Sequence, residues 1–337
     1  MSQFKAEVVR IDVVPHPNAD RLEIAKIRNK MWQCIIAKDS FKSGDLAVYI
    51  PIESVLPEPL VKALGIEKNY HSRLRSIKLR GELSQGMVMK LPPDPSLGVL
   101  EEGRDLTDFL GIKKWEEPIP VQMAGQLRAE PGDFYRYTDI ENWKNYPDVF
   151  YPGQPVIISE KVHGSNFRTA NINGEIHVGS HRRNIKEDPN NLYWRAAEML
   201  KVKEILYPGE QIFAEVYGSG IQDLTYGKRA GEFSIVVFDF MRGGKYVNYK
   251  ELINLSWGRG FSLAPHIKNF DGSLIHKWDS TIPALAEGNS LIAPNQMKEG
   301  IVVRPAEEMY SDKLKGRMIL KIISDTYLSR KNGTEGH

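Results

Sequence analysis

The chain has 337 residues, 41% hydrophobic and 26% charged, with 45 Lys and Arg against 43 Asp and Glu for a net charge of +2. That length accommodates two domains with proper cores, on a prior of about 150 residues per domain. No apolar run approaches the roughly 18 residues of a membrane span, residues 1–10 lack the apolar core of a secretory signal, and near-neutrality leaves any affinity for polyanions to local placement of basic groups. The single cysteine, Cys34, excludes an intramolecular disulfide and a multi-cysteine zinc cluster; inside the apolar run MWQCII it reads as a buried small hydrophobe. The expectation is a cytoplasmic protein with no membrane partner.

Along the first hundred residues, short β-type runs are separated by turn signals, a pattern suited to a small barrel. Strands are expected at residues 6–14, 22–27, 31–37, 46–50 and 77–79, followed by 86–90. Asn18-Ala19-Asp20, Ser43-Gly44-Asp45 and Arg80-Gly81-Glu82 supply the punctuation. Residues 91–120 are irregular and rich in Pro and Gly, and a domain boundary is expected there or slightly later.

The second half mixes strands with a few helices. Strands are expected at residues 156–159, 167–172, 176–179, 211–217, 233–240, 300–304 and 318–323. Helical spacing places Leu192, Ala196, Met199 and Leu200 on one face of residues 190–205, and a second helix is expected at 249–255. Strands and helices do not alternate regularly, which argues against a doubly wound parallel sheet. There is no GxGxxG and no GxxxxGK[ST], so a bound nucleotide would need another architecture.

The most informative segment is Glu160-Lys161-Val162-His163-Gly164-Ser165-Asn166, where an apolar strand ends in a lysine and a Gly-containing turn. Alone, Lys161 would be read as a surface lysine beside a hairpin turn. Its company changes the reading: FAEVYG at 213–218, VFDF at 237–240, KEGIVVR at 298–304 and ILKI at 319–322 follow in order. Together the five segments resemble nucleotidyltransferase motifs I, III, IIIa, IV and V of the covalent ligase and capping-enzyme superfamily. KxHGxN as the first motif resembles the RNA ligase branch, whereas DNA ligases and capping enzymes usually carry KxDG.

That resemblance implies an ATP-dependent ligase working through a lysyl-AMP on Lys161. A free lysine, with a pKa of about 10.4, is neutral in roughly one molecule in two thousand at pH 7, so burial and nearby positive charge must activate it. Lys321 is implied as that charge and as a holder of the α-phosphate. Glu299 is implied as a ligand of Mg²⁺ or Mn²⁺, and Glu215 as a contact to the ribose or to the metal through water. Phe238 would stack on adenine, although a plain core role stays open. Glu160 would lie beside the base, His163 in the nucleotide site, and Asn166 would orient phosphate or metal waters. Arg182, within Ser180–Arg183 of the sequence, resembles motif Ia, with Arg183 as an alternative. One departure is that motif V often carries two lysines spaced by one residue, whereas Lys321 is followed by Ile322 and Ile323. Lys313 and Lys315 have the spacing, but in a polar, loop-like stretch.

In the first half, HPNADRL at 16–22 and IKLRGELSQGM at 77–87 resemble OB-fold tRNA-binding domains found beside synthetase and EMAP-type proteins. Arg73, Arg75, Lys78 and Arg80 form a local basic cluster, either an RNA-binding groove or a solvated strand face. His16 reads as a turn-stabilising partner. The order of modules resembles nick-sealing RNA ligases of the Naegleria and Deinococcus type. The implied fold class is α+β, an N-terminal OB-fold β-barrel over residues 1–110, a linker at 111–130, and a nucleotidyltransferase domain of antiparallel sheets with flanking helices at 131–330. A disordered tail is expected at 331–337, leaving no room for a carboxy-terminal OB domain. The implied partner is RNA with 3′-OH and 5′-phosphate ends, a nicked duplex, bound by a monomer. A capping-type guanylyltransferase and a non-catalytic RNA-binding protein remain as alternatives.

Overall fold

The computed structural model describes residues 4–115 and 127–330; the expected linker falls largely, and the tail wholly, outside the described residues. The chain divides into two compact units. The first contains the described residues up to 115 together with Glu141–Pro147 and residues 325–330; the second contains residues 127–140 and Asp148–Ser324.

The first unit is built on an antiparallel sheet in the order Gln33–Ala37, Leu22–Ile27, Glu7–Pro15, Leu46–Ile50, Met87–Met89. Alternation along these strands turns Ala6, Val8, Val48 and Ile50 into one core with Leu56, Leu106 and Ile112. Gly86 is required where the chain turns back on the sheet: with φ of 88°, a Cβ there would lie 2.4 Å from the Ile50 carbonyl oxygen. A separate hairpin pairs Ser76–Leu79 with Glu82–Gln85 across a two-residue turn, Arg80 and Gly81, with φ of 50° and 94°. Both angles are positive, as the twist of a two-residue hairpin demands. The His16–Asn18 loop braces this turn. His16 Nε2 lies 3.1 Å from the Leu79 carbonyl oxygen, and Asn18 Nδ2 donates to the Arg80 carbonyl at 3.0 Å. The two stretches that resemble tRNA-binding domains are thus one structural feature.

Within the same unit, residues far apart in sequence are knitted together by Lys144. Its buried ammonium donates to Gln85 Oε1 at 2.8 Å and Asp325 Oδ1 at 2.7 Å, while Trp32 Nε1 donates to Asn145 Oδ1 at 2.6 Å.

The second unit carries a large antiparallel sheet in the order Leu127–Arg128, Arg183–Ile185, Glu175–Ser180, Ser165–Ile172, Glu210–Gly218, Phe233–Arg242, Lys245–Tyr246. In its other sheet Leu320–Ile323, Gly300–Pro305, Pro155–Lys161 and Ile275–Lys277 are successive neighbours. Helices Leu192–Met199 and Tyr249–Arg259 pack on the core of the large sheet. Asn191 and Asn248 cap their N-termini, accepting from the Tyr193 and Glu251 amides. The single helix expected over 190–205 is instead two, because Lys201 takes a left-handed φ of 54° before Val202–Ile205. Met199, expected on the apolar face, is 50% exposed, whereas the adjoining Leu200 is buried. Among the described residues no helix is long and apolar enough to cross a membrane.

Candidate active site

Lys161 is the last residue of the Pro155–Lys161 strand, and its register defines a face. Ser159 pairs with Val302, Val302 with Lys321, Lys161 with Gly300, and Ile157 with Arg304. Opposed residues of antiparallel strands share a face, and alternate residues along one strand do too. Lys161, Ser159, Val302, Arg304 and Lys321 therefore stand on the same side of the sheet. Strand geometry thus brings the motif V lysine, Lys321, to the face of the motif I lysine. Lys313, by contrast, sits in the turn joining Tyr310–Ser311 to Gly316–Arg317, paired with Asp148.

That face opens on a pocket whose walls include Glu160, Lys161, Asn166, Glu215 and Phe238. Phe238 reaches it through a β-bulge. Phe213 pairs with Asp239 and Ala214 with Val237, so Phe238 is the extra, unpaired residue on its strand, a device that re-aims a side chain. Tyr137 meets the Phe238 ring edge-on at 4.8 Å. Behind the bulge, fully buried Asp239 Oδ2 accepts from Tyr137 Oη at 2.9 Å, Arg304 Nη1 at 3.1 Å and Arg317 Nη1 at 2.8 Å. Burial pushes the Asp239 carboxyl up, but Arg304 and Arg317 prevail and hold it below the ordinary carboxylate range. Burial, then Arg304, push pocket-lining His266 down to about 4, so its ring is neutral at physiological pH.

The nucleophile candidate is engaged. Lys161 Nζ lies 2.8 Å from Glu299 Oε1, with the lysine side chain 12% and the carboxylate 1% exposed. Glu299 Oε2 is 3.2 Å from His163 Nδ1, and His163 Nε2 is 2.9 Å from Asp223 Oδ1. Burial alone would raise Glu299, but Lys161 and His163 overcome it and hold the carboxyl at about 2. Glu215 goes the other way, raised to about 8 by burial and by Glu299, against the pull of Lys161 and the Gly164 amide. Glu160 accepts the Leu291 amide at 2.6 Å; burial raises its carboxyl, and Ser290, that amide and Lys298 restrain the rise.

These groups suit a divalent cation bound together with phosphate. Two carboxylates stand close enough to perturb each other, and the side-chain oxygen of Asn166 is buried with no hydrogen-bond partner among the described residues. No three His, Cys, Asp or Glu side chains among the described residues group to hold a metal by themselves. A hard cation that keeps waters and takes phosphate oxygens asks for no more than one or two carboxylates.

Not every expected residue joins the site. Arg182 is exposed, and it is His181 that reaches the pocket wall, with Nε2 3.6 Å from Asp139 Oδ1. The expected basic cluster is reduced by one. Arg73 is buried, its Nε 3.0 Å from Glu53 Oε2 and its guanidinium 3.6 Å over the Trp115 ring, so it serves the core. Arg75 is half-buried, while Lys78 and Arg80 are exposed on the braced hairpin. Sequence reasoning missed Asp223, Tyr226, His266 and the Asp239 cluster. Asp223, Tyr226 and His266 lie in none of the five motifs, and the partners that Asp239 finds, Tyr137, Arg304 and Arg317, lie tens of residues from it; only the unusual His163 hinted that a carboxylate partner was needed.

A family model described as RNA ligase matches residues 154–323, half of the chain. The chain belongs to the RNA ligase family. An OB-fold domain model matches residues 6–91. Naegleria gruberi RNA ligase, solved with pyrophosphate, is 26% identical and superposes with a TM-score of 0.80 over 98% of this chain and 99% of that one. A lysine-to-alanine variant of that enzyme with ATP and manganese gives a TM-score of 0.81 at 26% identity, over 97% and 99% of the two chains. A glutamate-to-alanine variant with AMP and manganese also gives 0.81 at 26% identity, over 98% and 100%. A phenylalanine–tRNA ligase beta subunit from Wolbachia sp. subsp. Brugia malayi is 28% identical over 102 residues, 28% of this chain and 12% of that subunit, so this chain spans a small part of its length. The family and the α+β fold class expected from the motifs, an OB fold followed by a sheet-rich transferase fold, are borne out.

Proposed function

We propose that the protein is an ATP-dependent RNA ligase that seals breaks with 3′-OH and 5′-phosphate ends, nicks in duplex RNA, acting as a cytoplasmic monomer. The observation that carries this reading is the shared face of Lys161 and Lys321 above a pocket with an aromatic wall, with Lys161 already paired to Glu299. ATP enters with adenine against Phe238 and Glu160 near the base. Lys161 leaves the Glu299 carboxylate, loses a proton and attacks the α-phosphorus. An N–P bond forms, the bond to the β-phosphate bridging oxygen breaks, and pyrophosphate departs, leaving AMP on Lys161. Lys321 offsets the charge that develops on the α-phosphate. The RNA 5′-phosphate then displaces Lys161, giving an adenylylated RNA end, and the 3′-OH displaces AMP to form the phosphodiester.

Glu299, with Glu215 and Asn166 beside it, is the group that would hold Mg²⁺ or Mn²⁺. Such an ion supplies positive charge against the phosphate oxygens. The motif Ia stretch, with His181 at the pocket wall and Arg182 exposed beyond it, faces the RNA end. Lys78 and Arg80, on the hairpin braced by His16 and Asn18, contact RNA phosphates, supported by the OB-fold match and by their exposure.

The test is sealing of a nicked RNA duplex against an unannealed pair of the same strands. Preferential joining of the nick, requiring both the 5′-phosphate and the 3′-OH, is expected. Equal joining of free single strands would refute the nick-sealing assignment.

A further inference from the structure

Glu299 is nearly inaccessible, at 1% exposure, and its two oxygens have different partners, Lys161 on Oε1 and His163 on Oε2. The imidazole is gripped on its far side as well. Asp223 Oδ1 is 2.9 Å from Nε2, and the His163 backbone amide donates to Tyr226 Oη at 2.6 Å. Both gripping residues come from the chain between the Glu210–Gly218 and Phe233–Arg242 strands. That stretch is itself tied down. The Tyr226 amide donates to Gln296 Oε1 at 3.0 Å, and the Tyr226 ring meets Tyr217 edge-on at 5.0 Å. Tyr226 is buried yet held at φ of 53°, a left-handed conformation that a bulky residue rarely adopts. Backbone held in such a state by its surroundings is commonly found at functional sites.

We propose that Asp223 is a positioning residue for Glu299, acting through the ring of His163. A histidine bonded at one nitrogen alone can swing about its ring axis; bonding the second nitrogen to a carboxylate fixes its plane and presents the first along one line. With Nδ1 so aimed, Oε2 of Glu299 is committed to His163, and Oε1 is the oxygen left toward Lys161 and the pocket. Asp223 thereby decides which oxygen of the buried carboxylate meets an incoming cation. The Asp223 side chain is 34% exposed and lies in no hydrophobic core, so it can be replaced without opening a cavity. This inference rests on the reading of Glu299 as the group that holds the divalent ion.

The test is direct Mn²⁺ binding to the full chain in the presence of α,β-methylene-ATP, whose α–β bridge cannot be cleaved, by electron paramagnetic resonance of free Mn²⁺. Asp223→Ala is expected to weaken Mn²⁺ binding at least tenfold, within the 10–100-fold range typical of residues that orient metal ligands. Asp223→Asn keeps an oxygen that accepts from His163 Nε2 and is expected to stay within about threefold of wild type. Affinity for the analogue without metal is expected to be unchanged in both. Wild-type Mn²⁺ affinity in Asp223→Ala would overturn the proposal. Should Asp223→Ala fail to fold, Asp223→Ser, too short to reach the ring, takes its place with the same expectation. Glu299→Gln is the separating control: if it binds Mn²⁺ as wild type does, the role given to Glu299 is wrong, whatever Asp223 does.

Discussion

Lys161 in the free protein is held by Glu299 at 2.8 Å, an ion pair that must open before the amine can reach a phosphate. The resting pair is a poised arrangement, and each side chain can be tested separately. Glu299→Gln removes the charge while keeping the shape, and lysyl-AMP formation is expected to fall at least a hundredfold, read as label transferred from ATP at saturating metal. Near-normal transfer would remove Glu299 from the reaction. Phe238 presents a second residue-scale prediction. Base–aromatic stacking is worth about 1–3 kcal/mol, so Phe238→Ala should raise KM for ATP roughly tenfold or more, with Phe238→Trp near wild type. An unchanged KM in the alanine variant would assign Phe238 to the core.

At the scale of elements, two glycines let the site strands close up. A Cβ on Gly164 would lie 2.2 Å from the Val216 carbonyl oxygen and 3.0 Å from Glu215 Cγ; one on Gly300 would lie 2.2 Å from the Ile322 carbonyl oxygen. The shortest of these contacts, to the two carbonyl oxygens, are to backbone, which cannot step aside as a side chain can. Gly300→Ala is therefore expected to push the Gly300–Pro305 strand away from Leu320–Ile323, costing about 1–3 kcal/mol and lowering AMP transfer further than stability alone explains. Thermal unfolding and label transfer on the same preparation check it. The glycines stand inside motifs I and IV and were legible for that reason. The bulge at Phe238 was not, because residues 235–238, IVVF, are apolar at every position and a shift in the phase of alternation does not show there. The break at Lys201 was hidden similarly, since buried apolar residues stand on both sides of it, Leu200 before and Val202 and Leu206 after.

For the whole molecule, Asp239 with Arg304 and Arg317 is the buried charge cluster on which the pocket wall rests. The Asp239 carboxyl is depressed in the folded state, so its stabilisation is complete above its unfolded value and is lost as pH falls through the folded one. Urea unfolding should show wild type weakening below about pH 4. Asp239→Asn removes the buried charge between the two arginines and leaves them Glu308 as a carboxylate partner, so it should be less stable by about 3 kcal/mol at neutral pH, with a flatter acid limb. Equal stability at pH 7 would contradict this account. The hairpin that carries Lys78 and Arg80 yields the other prediction at this scale. Lys78→Ala and Arg80→Ala should each weaken RNA binding and lower the salt dependence by about one released counterion, with AMP loading of Lys161 as the reaction that needs no RNA.

Much at this scale was readable from five ordered motifs, all within the residues that the RNA ligase family model matches, 154–323. What escaped is long-range. Glu141–Pro147 and residues 325–330 belong with the first unit through Lys144, Gln85 and Asp325, separated by up to 240 positions. Arg73 looked like one of four surface cations until Glu53 and Trp115 enclosed it.

The most direct measurement is incubation with α-³²P-ATP and Mg²⁺ or Mn²⁺, followed by denaturing electrophoresis, on wild type, Lys161→Ala and Lys161→Arg. A labelled wild-type band that survives denaturation is expected, absent from both variants, since a guanidinium stays protonated and cannot attack. Label on either variant, or none on wild type, would contradict the lysyl-AMP mechanism.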